Sequence, residues 1–420
     1  MVGLRLLARL NEVLTLGKRA PPEVPFGGIN VILLGDYIQY MPILDRPLYT
    51  NLERGSSTRL PTEADVQYGV GRSLVLQINT VTKLTQQMRT EDQKYLTLLN
   101  NIRLGETTRA DFDYLCTRII GRGQIVQSLK DKPWCDAPIL VFRNQLRTEI
   151  NNRAALDRAK EAGVALVVVV ANDKIRSKSL QDDAIYERLL HLPDNKTELL
   201  PGLLPLVPNM PVLLTDNIAC ELGLSNGTQG IFRELIYDGQ ENLDGLMVKS
   251  DVFPSDTIYI RKPLYALVEI NTSQLETTLD GLRPKLIPIP LIKKQFTVPT
   301  KQLFGRLFES AQSGKIVPQV IQVTRTQLPI VPAFAITTYK AQGLTMNKIV
   351  VDLRVPLRTL QVASVYVPLS RVKKAEDVVI LRPFDMKALQ VRPSPTQDAE
   401  LKRLDELDRK TRREYTSFTF

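Results

Sequence analysis

Histidine is almost absent from this chain, and with it the residue that most often serves as a catalytic base or a metal ligand. His191 is the only histidine among the 420 residues. A Ser-His triad needs a histidine beside its nucleophile and a multi-histidine metal centre needs several, so both kinds of site are nearly excluded. Any chemistry must therefore rest on lysine, arginine, glutamine, carboxylates and backbone amides.

Cysteine and long apolar runs are scarce as well. Cys116, Cys135 and Cys220 are widely spaced and odd in number, which argues against a disulfide framework or a zinc site and indicates a reducing compartment. The longest strongly apolar run, residues 164–171, falls far short of the roughly 18 residues that a membrane-spanning helix needs. We therefore expect that run to be a core element.

The phosphate-binding pattern G-x-x-x-x-G-K-[ST] occurs nowhere in the sequence. Gly17-Lys18 and Gly314-Lys315 lack both the preceding glycine and the following serine or threonine. That loop normally cradles nucleotide phosphates with successive backbone amides and its lysine. We therefore expect this chain by itself to bind and hydrolyse ATP poorly or not at all.

Positive charge prevails over negative charge. Lys plus Arg is 55 and Asp plus Glu is 45, which gives a formal net charge of +10. Such an excess suits an anionic partner such as nucleic acid. The excess is diffuse and no arginine-rich tract concentrates it, so charge alone is only a modest indication. A chain of this length can hold two or three domains, each with its own core.

Residues 328–345, LPIVPAFAITTYKAQGLT, form the stretch with the most chemical character. A strand-forming run breaks there into a turn that carries Thr337, Thr338, Lys340, Gln342, Gly343 and Thr345. Glycine allows close backbone approach, while hydroxyls, an amide and an ammonium offer charge-matched contacts. The turn therefore suits phosphates or a nucleic-acid backbone. A polar loop that merely joins two core elements is the alternative, and the string alone leaves both open.

Residues 29–42, INVILLGDYIQYMP, begin with an unbroken apolar segment. We predict a strand over 29–34, buried on both faces as in a parallel sheet covered by helices. Ligands of such sheets bind beyond the carboxyl ends of the strands, where Asp36 and Gln39 follow. A turn residue at the start of a helix is the alternative role for Gln39.

Two arginines stand at similar junctions. Arg89 follows a strand-like segment, 75–84, and precedes a helix that we predict to be capped by Thr90. A guanidinium at that place could reach a phosphate bidentately, although a surface salt bridge is the alternative. Arg371 ends the string YVPLSR, after a helix predicted over 360–367 and before a strand predicted over 378–381.

The strings GDYIQ, MRTED, AITTYKAQGLT and YVPLSR, in that order, resemble the Pif-type (petite integration frequency) DNA helicases of superfamily one. The likeness is greatest to versions carried by fungal genomes and by rolling-circle transposons of the Helitron type. It runs from Met1 to about Phe384. Each string is a weak signal alone, but four in order with compatible elements between them make a strong one.

The resemblance implies roles for individual residues. It makes Gln39, Arg89 and Arg371 catalytic, through contacts to the terminal phosphate of ATP, with Arg371 as an arginine finger. The residues it assigns to the nucleotide are Asp36, Gln39, Arg89, Gln342, Gly343 and Arg371. The residues it assigns to DNA are Asn144, Asn151, Thr337, Lys340 and Thr345. Helix capping is the alternative role for the asparagines. No residue is assigned to a metal.

The implied fold is α/β, with tandem RecA-like lobes of the P-loop NTPase type, the first incomplete, and a small SH3-like β insertion in the second. Residues 1–79 correspond to the C-terminal part of the first lobe. In the resembled family a stretch like MVGLRLLARL directly follows the carboxylates that hold magnesium, so we expect the chain to begin just after that box. The remaining assignments are the second lobe over 80–226 and 327–385, the insertion over 227–326 and a charged tail, flexible or helical, over 386–420.

The implied function is that of an ATP-dependent five-prime to three-prime DNA helicase, here a fragment deficient in ATP hydrolysis. The alternative is a non-catalytic remnant of a transposon helicase that binds single-stranded DNA. ATP and Mg²⁺ serve the complete enzyme and are not expected on this chain alone. The expected partners are single-stranded DNA or DNA forks, with no membrane. A nuclear location is expected, and a mitochondrial one is the alternative because residues 1–20 have a composition that presequences share.

Overall fold

The computed structural model describes residues 2–52, 60–122, 126, 128–175, 178–179, 183–238, 252–276, 278–304 and 319–415. The chain divides into two compact units. Unit 1 comprises Met1–Cys135 and Ala341–Phe420, and unit 2 comprises Asp136–Lys340. The predicted second lobe contributes residues to both units, and the assignment of lobes stays a prediction.

The elements are numbered along the chain. The helices among the described residues are α1 (Leu4–Lys18), α2 (Glu63–Leu76), α3 (Gln93–Leu104), α4 (Arg109–Cys116), α5 (Asn144–Ala162), α6 (Asp183–Leu190), α7 (Thr300–Phe304), α8 (Val362–Leu369) and α9 (Pro395–Glu414). The strands are β1 (Ile139–Val141), β2 (Val167–Val170), β3 (Asn172–Ile175), β4 (Lys178–Ser179), β5 (Leu203–Leu206), β6 (Pro211–Leu214), β7 (Gln229–Tyr237), β8 (Ile258–Ile260), β9 (Pro263–Glu269), β10 (Leu286–Pro290), β11 (Ile292–Pro299), β12 (Val320–Gln327), β13 (Ile330–Pro332), β14 (Ala335–Thr337), β15 (Ile349–Val351) and β16 (Val378–Ile380). No helix of the described residues is both long and apolar enough to span a bilayer.

In unit 1, α1 and α2 pack face to face. Their shared apolar cluster contains Leu4, Leu7, Leu48, Leu74 and Val75. The leucines of α1 recur at helical spacing, so one side of the helix can be buried while the other meets water. The apolar residues of positions 1–20 recur at helical spacing and predict a domain helix there, which α1 confirms.

The predicted buried strand over residues 29–34 is wrong. No strand among the described residues pairs with this segment, and Ile32 and Leu34 are 83% and 89% exposed. A strand that is apolar on both faces forms only where neighbouring strands accept its ladder hydrogen bonds and helices cover it. The described part of unit 1 offers this segment neither.

The strand-like prediction for residues 75–84 is wrong as well. Helix α2 continues to Leu76, and the chain beyond it attaches to α9. The backbone N–H of Val81 donates to Thr411 Oγ1 at 3.1 Å, and that of Lys83 donates to Asp408 Oδ1 at 2.8 Å. Side chains of a helix thus satisfy backbone donors that a sheet would otherwise satisfy.

Helix α9 is the tail that sequence alone left flexible or helical. Its buried carboxylate Glu400 pairs with Arg72 of α2 at 2.8 Å and with Arg403 of its own turn at 2.7 Å. The side-chain amide of Gln397 also donates to the carbonyl of Tyr37. These charged and polar contacts fix the helix within unit 1, and its leucines Leu401, Leu404 and Leu407 are half-buried.

Helices α3 and α4 lie where the sequence predicts them, with different ends. Asp92, not Thr90, caps α3 by accepting from the N–H of Tyr95, and α3 ends at Gly105, whose φ of 69° only glycine adopts readily. The sequence also predicts a capped helix from about Thr108 to Ile120, and α4 has its cap at Thr108 but stops at Cys116.

The elements after residues 328–345 agree with the sequence prediction. Strands β15 and β16 pair in parallel, with Ile349 opposite Val378. Between them lies α8, in which every residue is buried. The phenol of Tyr95 donates to the carbonyl of Leu369 at 2.7 Å, so α3 and α8 are tied together at the end that leads to Arg371.

Unit 2 contains most of the strands. Strands β1 and β14 pair in parallel, and β10-β9-β7-β6-β13 form an antiparallel sheet over an extended apolar core. Strands from the predicted insertion share sheets with strands outside it, since β7 pairs with β6 and β12 pairs with β3. The SH3-like character of the insertion stays a prediction.

A fully buried ion pair joins the predicted insertion to a strand outside it. Arg325 of β12 lies opposite Asp173 of β3, and both side chains are fully buried. Their two hydrogen bonds measure 2.7 and 2.6 Å, and the carbonyls of Leu189 and Leu200 accept two further N–H groups of the guanidinium. A buried charge is tolerated only when it is paired in this way.

Candidate active site

Residues 36–40, the glutamine loop, present Gln39. Asp36 shapes the loop by accepting from the N–H of Ile38 at 3.0 Å and from the side-chain amide of Gln39 at 3.3 Å. Arg103 of α3 donates to both oxygens of Asp36, at 2.6 and 3.0 Å. Burial by itself raises the pKa of Asp36, but the hydrogen bonds and charge of Arg103 hold this pKa below its usual value. Asp36 therefore stays ionised, and both its oxygens are engaged within the protein.

The glutamine loop contacts the turn that contains Gln342 and Gly343. The N–H of Tyr40 donates to the side-chain oxygen of Gln342 at 3.2 Å. The next residue, Gly343, has a φ of 86°, a left-handed conformation that a side chain would strain. Two residues that the sequence assigns to the nucleotide thus lie beside the loop that carries Gln39.

Arg89 reaches the same turn from another part of the chain. Its Nε donates to Thr345 Oγ1 at 3.0 Å, and its Nη1 donates to the carbonyl of Ser370 at 2.8 Å. Thr345 is assigned to DNA by the sequence, yet its hydroxyl accepts from Arg89 here. Arg89 itself remains partly exposed.

Arg371 lies on the inner side of this turn and is only 3% exposed. Its guanidinium donates to the carbonyls of Val367 at 2.8 Å and Leu344 at 3.3 Å, and to the hydroxyl of Ser370 at 2.6 Å. Burial, and then the nearby charge of Arg89, lower the pKa of Arg371 to about 10. Two cations are thus held close together.

Among the described residues, no carboxylate forms an ion pair with Arg89 or Arg371. Like charges that share a site disfavour each other unless an anion lies between or beside them. Guanidinium groups bind phosphate oxygens through charge-assisted, bidentate hydrogen bonds. The pair therefore suits a phosphate group.

The residues assigned to DNA in unit 2 differ in exposure: Asn144 and Lys340 are partly exposed, whereas Asn151 and Thr337 are only 3% and 7% exposed. Asn151 is buried, and its amide donates to the carbonyls of Pro332 and Ala335 at 2.8 and 3.0 Å and accepts from the N–H of Ala335 at 2.7 Å. This side chain holds β13 and β14 against α5 and cannot also reach DNA, so its assignment is corrected. Asn144 lies in the first turn of α5, partly exposed.

Lys340 lies in a polar cluster of unit 2. Its ammonium is 3.4 Å from the side-chain oxygen of Asn226, and its N–H donates to the carbonyl of Thr337 at 2.9 Å. Burial, followed by the charge of Arg147, lowers the pKa of Lys340 to about 8, while Asp194 acts in the opposite direction. Arg147 and Asp194 themselves form a buried ion pair.

Sequence reasoning missed Arg103, the cation that engages Asp36. Besides that ion pair, its guanidinium carbon lies 4.8 Å from the ring centroid of Tyr366. In the sequence it is one basic residue in the last turn of a helix, which is a common place for one. No local signal connects it to a carboxylate 67 residues away.

The sequence matches no model of a known protein family. It is similar to curated proteins, each named an ATP-dependent DNA helicase. PIF6 of Trypanosoma brucei brucei is 26% identical over 379 residues, which cover 88% of this chain and 38% of that protein. RRM3 of Saccharomyces cerevisiae is 23% identical over 409 residues, 92% of this chain and 50% of that protein. The chain thus spans half or less of the length of these relatives.

Solved structures show the same fold. The crystal structure of Pif1 helicase from Candida albicans matches with a TM-score of 0.60 and 19% identity, over 97% of this chain and 74% of that one. Pif1 helicase from Bacteroides, in complex with ADP-AlF3 and single-stranded DNA, matches with a TM-score of 0.56 and 18% identity, over 97% and 73%. The chain is therefore similar in sequence to proteins named ATP-dependent DNA helicases and has the α/β fold of the solved Pif1 helicases.

Proposed function

We propose that this chain is the phosphate-sensing and strand-gripping part of an ATP-dependent five-prime to three-prime DNA helicase of the Pif type. The observation that carries the proposal is the convergence on one turn, residues 342–346, within unit 1. The glutamine loop, Arg89 and Arg371 come from three distant stretches and each contacts this turn. Relatives named as ATP-dependent DNA helicases support it.

Arg89 and Arg371 differ in readiness for a phosphate. Arg89 is partly exposed and can meet an incoming oxygen directly. Arg371 is turned inward, so contact requires its guanidinium to leave the carbonyls of Val367 and Leu344. A phosphate offers stronger, charge-assisted hydrogen bonds than those carbonyls. We propose that arrival of the terminal phosphate draws Arg371 towards it, where it stabilises charge on the transferred group.

The resemblance assigns no residue of this chain to Mg²⁺, and the proposal extends only to contacts with the phosphates of ATP. Among the described residues, no group of three His, Cys, Asp or Glu side chains is placed to hold a metal ion. When bound, ATP supplies the phosphoryl group. The proposed role of Gln39 is to contact the terminal phosphate with its side-chain amide.

We expect no DNA-stimulated ATP hydrolysis by this chain alone, because the pattern G-x-x-x-x-G-K-[ST] is missing from its sequence. The measurement is phosphate release with and without an oligonucleotide. Turnover well above background that Arg371→Ala abolishes would contradict this expectation.

We propose that Asn144, Thr337 and Lys340 contact the backbone of single-stranded DNA. The test is fluorescence anisotropy with a labelled oligo-dT over a range of salt concentrations. Each phosphate that a cation neutralises contributes about −0.7 to the slope of log affinity against log salt. Lys340→Ala should make that slope less negative by about this amount, and Lys402→Ala, which removes an exposed lysine of α9, should leave it unchanged. Undetectable binding at low salt contradicts the proposal.

A non-catalytic single-stranded-DNA-binding remnant is the second candidate. It is favoured because the chain has the residues proposed to contact DNA but lacks the phosphate-binding pattern G-x-x-x-x-G-K-[ST]. Both candidates bind DNA, and they differ in what the genome encodes upstream of Met1. A phosphate-binding loop and a magnesium box in the same reading frame favour the helicase, whereas stop codons favour the remnant. Either protein acts where DNA is, and we expect the nucleus.

A further inference from the structure

We propose that Arg103 is a positioning residue that sets the glutamine loop in register with α8, the helix that leads into Arg371. The proposal rests on the phosphate-contacting roles of Gln39 and Arg371 given above. Arg103 is suited to the task because it contacts both sides. One edge of its guanidinium meets Asp36 of the glutamine loop, and one face meets Tyr366 of α8.

The contact to the glutamine loop is directional. Arg103 donates to both oxygens of Asp36, at 2.6 and 3.0 Å, in the planar fork geometry that fixes orientation as well as distance. Asp36 in turn accepts from the side-chain amide of Gln39 at 3.3 Å. Arg103 therefore orients the carboxylate of Asp36, and that carboxylate orients the side-chain amide of Gln39.

The contact to α8 uses the flat face of the guanidinium, which can stack on an aromatic ring. Arg103 stacks over the ring of Tyr366, with its central carbon 4.8 Å from the ring centroid, within the range of cation–π attraction. Tyr366 is buried, and its carbonyl accepts from the N–H of Ser370 at 2.9 Å. Only one turn of backbone separates the stacked ring from Arg371.

The helix that carries Arg103 is bonded to α8. Arg103 lies in the last turn of α3, and the phenol of Tyr95 in the same helix is bonded to the carbonyl of Leu369 in α8. Movement of α8 therefore carries α3 and Arg103 with it, and Arg103 carries Asp36. A lysine at position 103 could keep the charge but not the fork and the stacking together.

Hydrogen exchange of the glutamine loop tests this linkage without any nucleotide. The N–H groups of Ile38 and Gln39 bond to the side chain and carbonyl of Asp36. In Arg103→Gln we expect their exchange to accelerate about tenfold, and in Arg103→Lys, which retains the charge, about threefold. The control is Arg109→Gln. It removes an arginine of α4 that pairs with Asp113 of the same helix, and it should leave exchange of the loop amides unchanged.

A second substitution separates positioning from simple support. Tyr366→Leu removes the stacked ring, and we expect it to accelerate exchange of the same two amides in the native background. In the Arg103→Gln background it should add nothing, because the connection is already cut. Additive effects, or unchanged exchange in Arg103→Gln and Arg103→Lys, overturn the proposal.

The same samples keep the two proposals apart. Binding of inorganic tripolyphosphate to the unmodified chain tests the phosphate role of the arginines. Coupled exchange without tripolyphosphate binding supports the linkage through Arg103 and overturns the phosphate role. Tripolyphosphate binding with uncoupled exchange supports the phosphate role and overturns the linkage.

Discussion

Lys340 holds its proton weakly because burial and the nearby charge of Arg147 both oppose ionisation. Its pKa of about 8 lies below the usual 10.5. Between these two values the unfolded chain binds a proton that the folded chain does not, so this group makes the fold more stable as pH rises from about 8. Contact with phosphate works in the opposite direction, because it requires the protonated amine.

The affinity for single-stranded DNA should therefore fall as pH rises through 8. Between about pH 7 and about pH 9 we expect a loss of about tenfold at constant ionic strength, measured by anisotropy. Lys340→Arg keeps its charge throughout this range and should remove most of the pH dependence. An equal pH dependence in that variant would show that another group titrates.

Asn144 and Asn151 stand on the same helix and illustrate how burial changes the role of a residue type. Asn151→Ala should lower the free energy of unfolding by about 2 kcal/mol, because the N–H and carbonyl of Ala335 and the carbonyl of Pro332 lose their partner inside the protein. Asn144→Ala should change stability little and weaken DNA binding. Urea denaturation and anisotropy measure the two effects, and a reversed pattern would restore Asn151 as the DNA contact.

At the scale of elements, α9 shows how ion pairs help to fix a helix in place. Burial alone raises the pKa of Glu400, but hydrogen bonds from Arg403 and Arg72 outweigh burial and lower this pKa below its usual value of 4.5. The carboxylate therefore stabilises the fold above that pH. Its contribution is lost as pH falls through the lowered pKa.

Glu400→Gln should reduce the free energy of unfolding at neutral pH by about 2 kcal/mol, less than for a fully buried pair because Arg72 and Arg403 keep some contact with water. The difference from the native chain should shrink in acid. Glu406→Gln, an exposed carboxylate two turns further along α9, is the control. Equal melting temperatures for Glu400→Gln and this control would mean that charge does not hold the helix.

Elements were predictable where the signal is local. Helices α1 and α3 follow from apolar residues at helical spacing, and the cap of α4 follows from Thr108 and Asp111 three residues apart. The strand expected over residues 29–34 was not decided locally, because a strand depends on neighbours that its own sequence does not specify. The docking of α9 was equally unreadable, since Arg72 and Glu400 are 328 residues apart.

At the scale of the whole molecule, short motifs identify the chemical groups but not their connections. Gln39, Arg89 and Arg371 could be named from the sequence because each stands in a recognisable string. Their contacts could not be predicted. The turn at residues 342–346 and the link from Asp36 through Arg103 to Tyr366 join distant parts of the chain. Both follow only from how α3 and α8 pack.

The most direct test of the account is calorimetric titration of inorganic tripolyphosphate into the chain at low salt. We expect a dissociation constant of about 1 mM. Arg89→Gln or Arg371→Gln should raise it at least about fivefold, and Arg109→Gln should leave it unchanged. If the two site variants bind as the native chain and the Arg109→Gln control do, the converging arginines do not form a phosphate site.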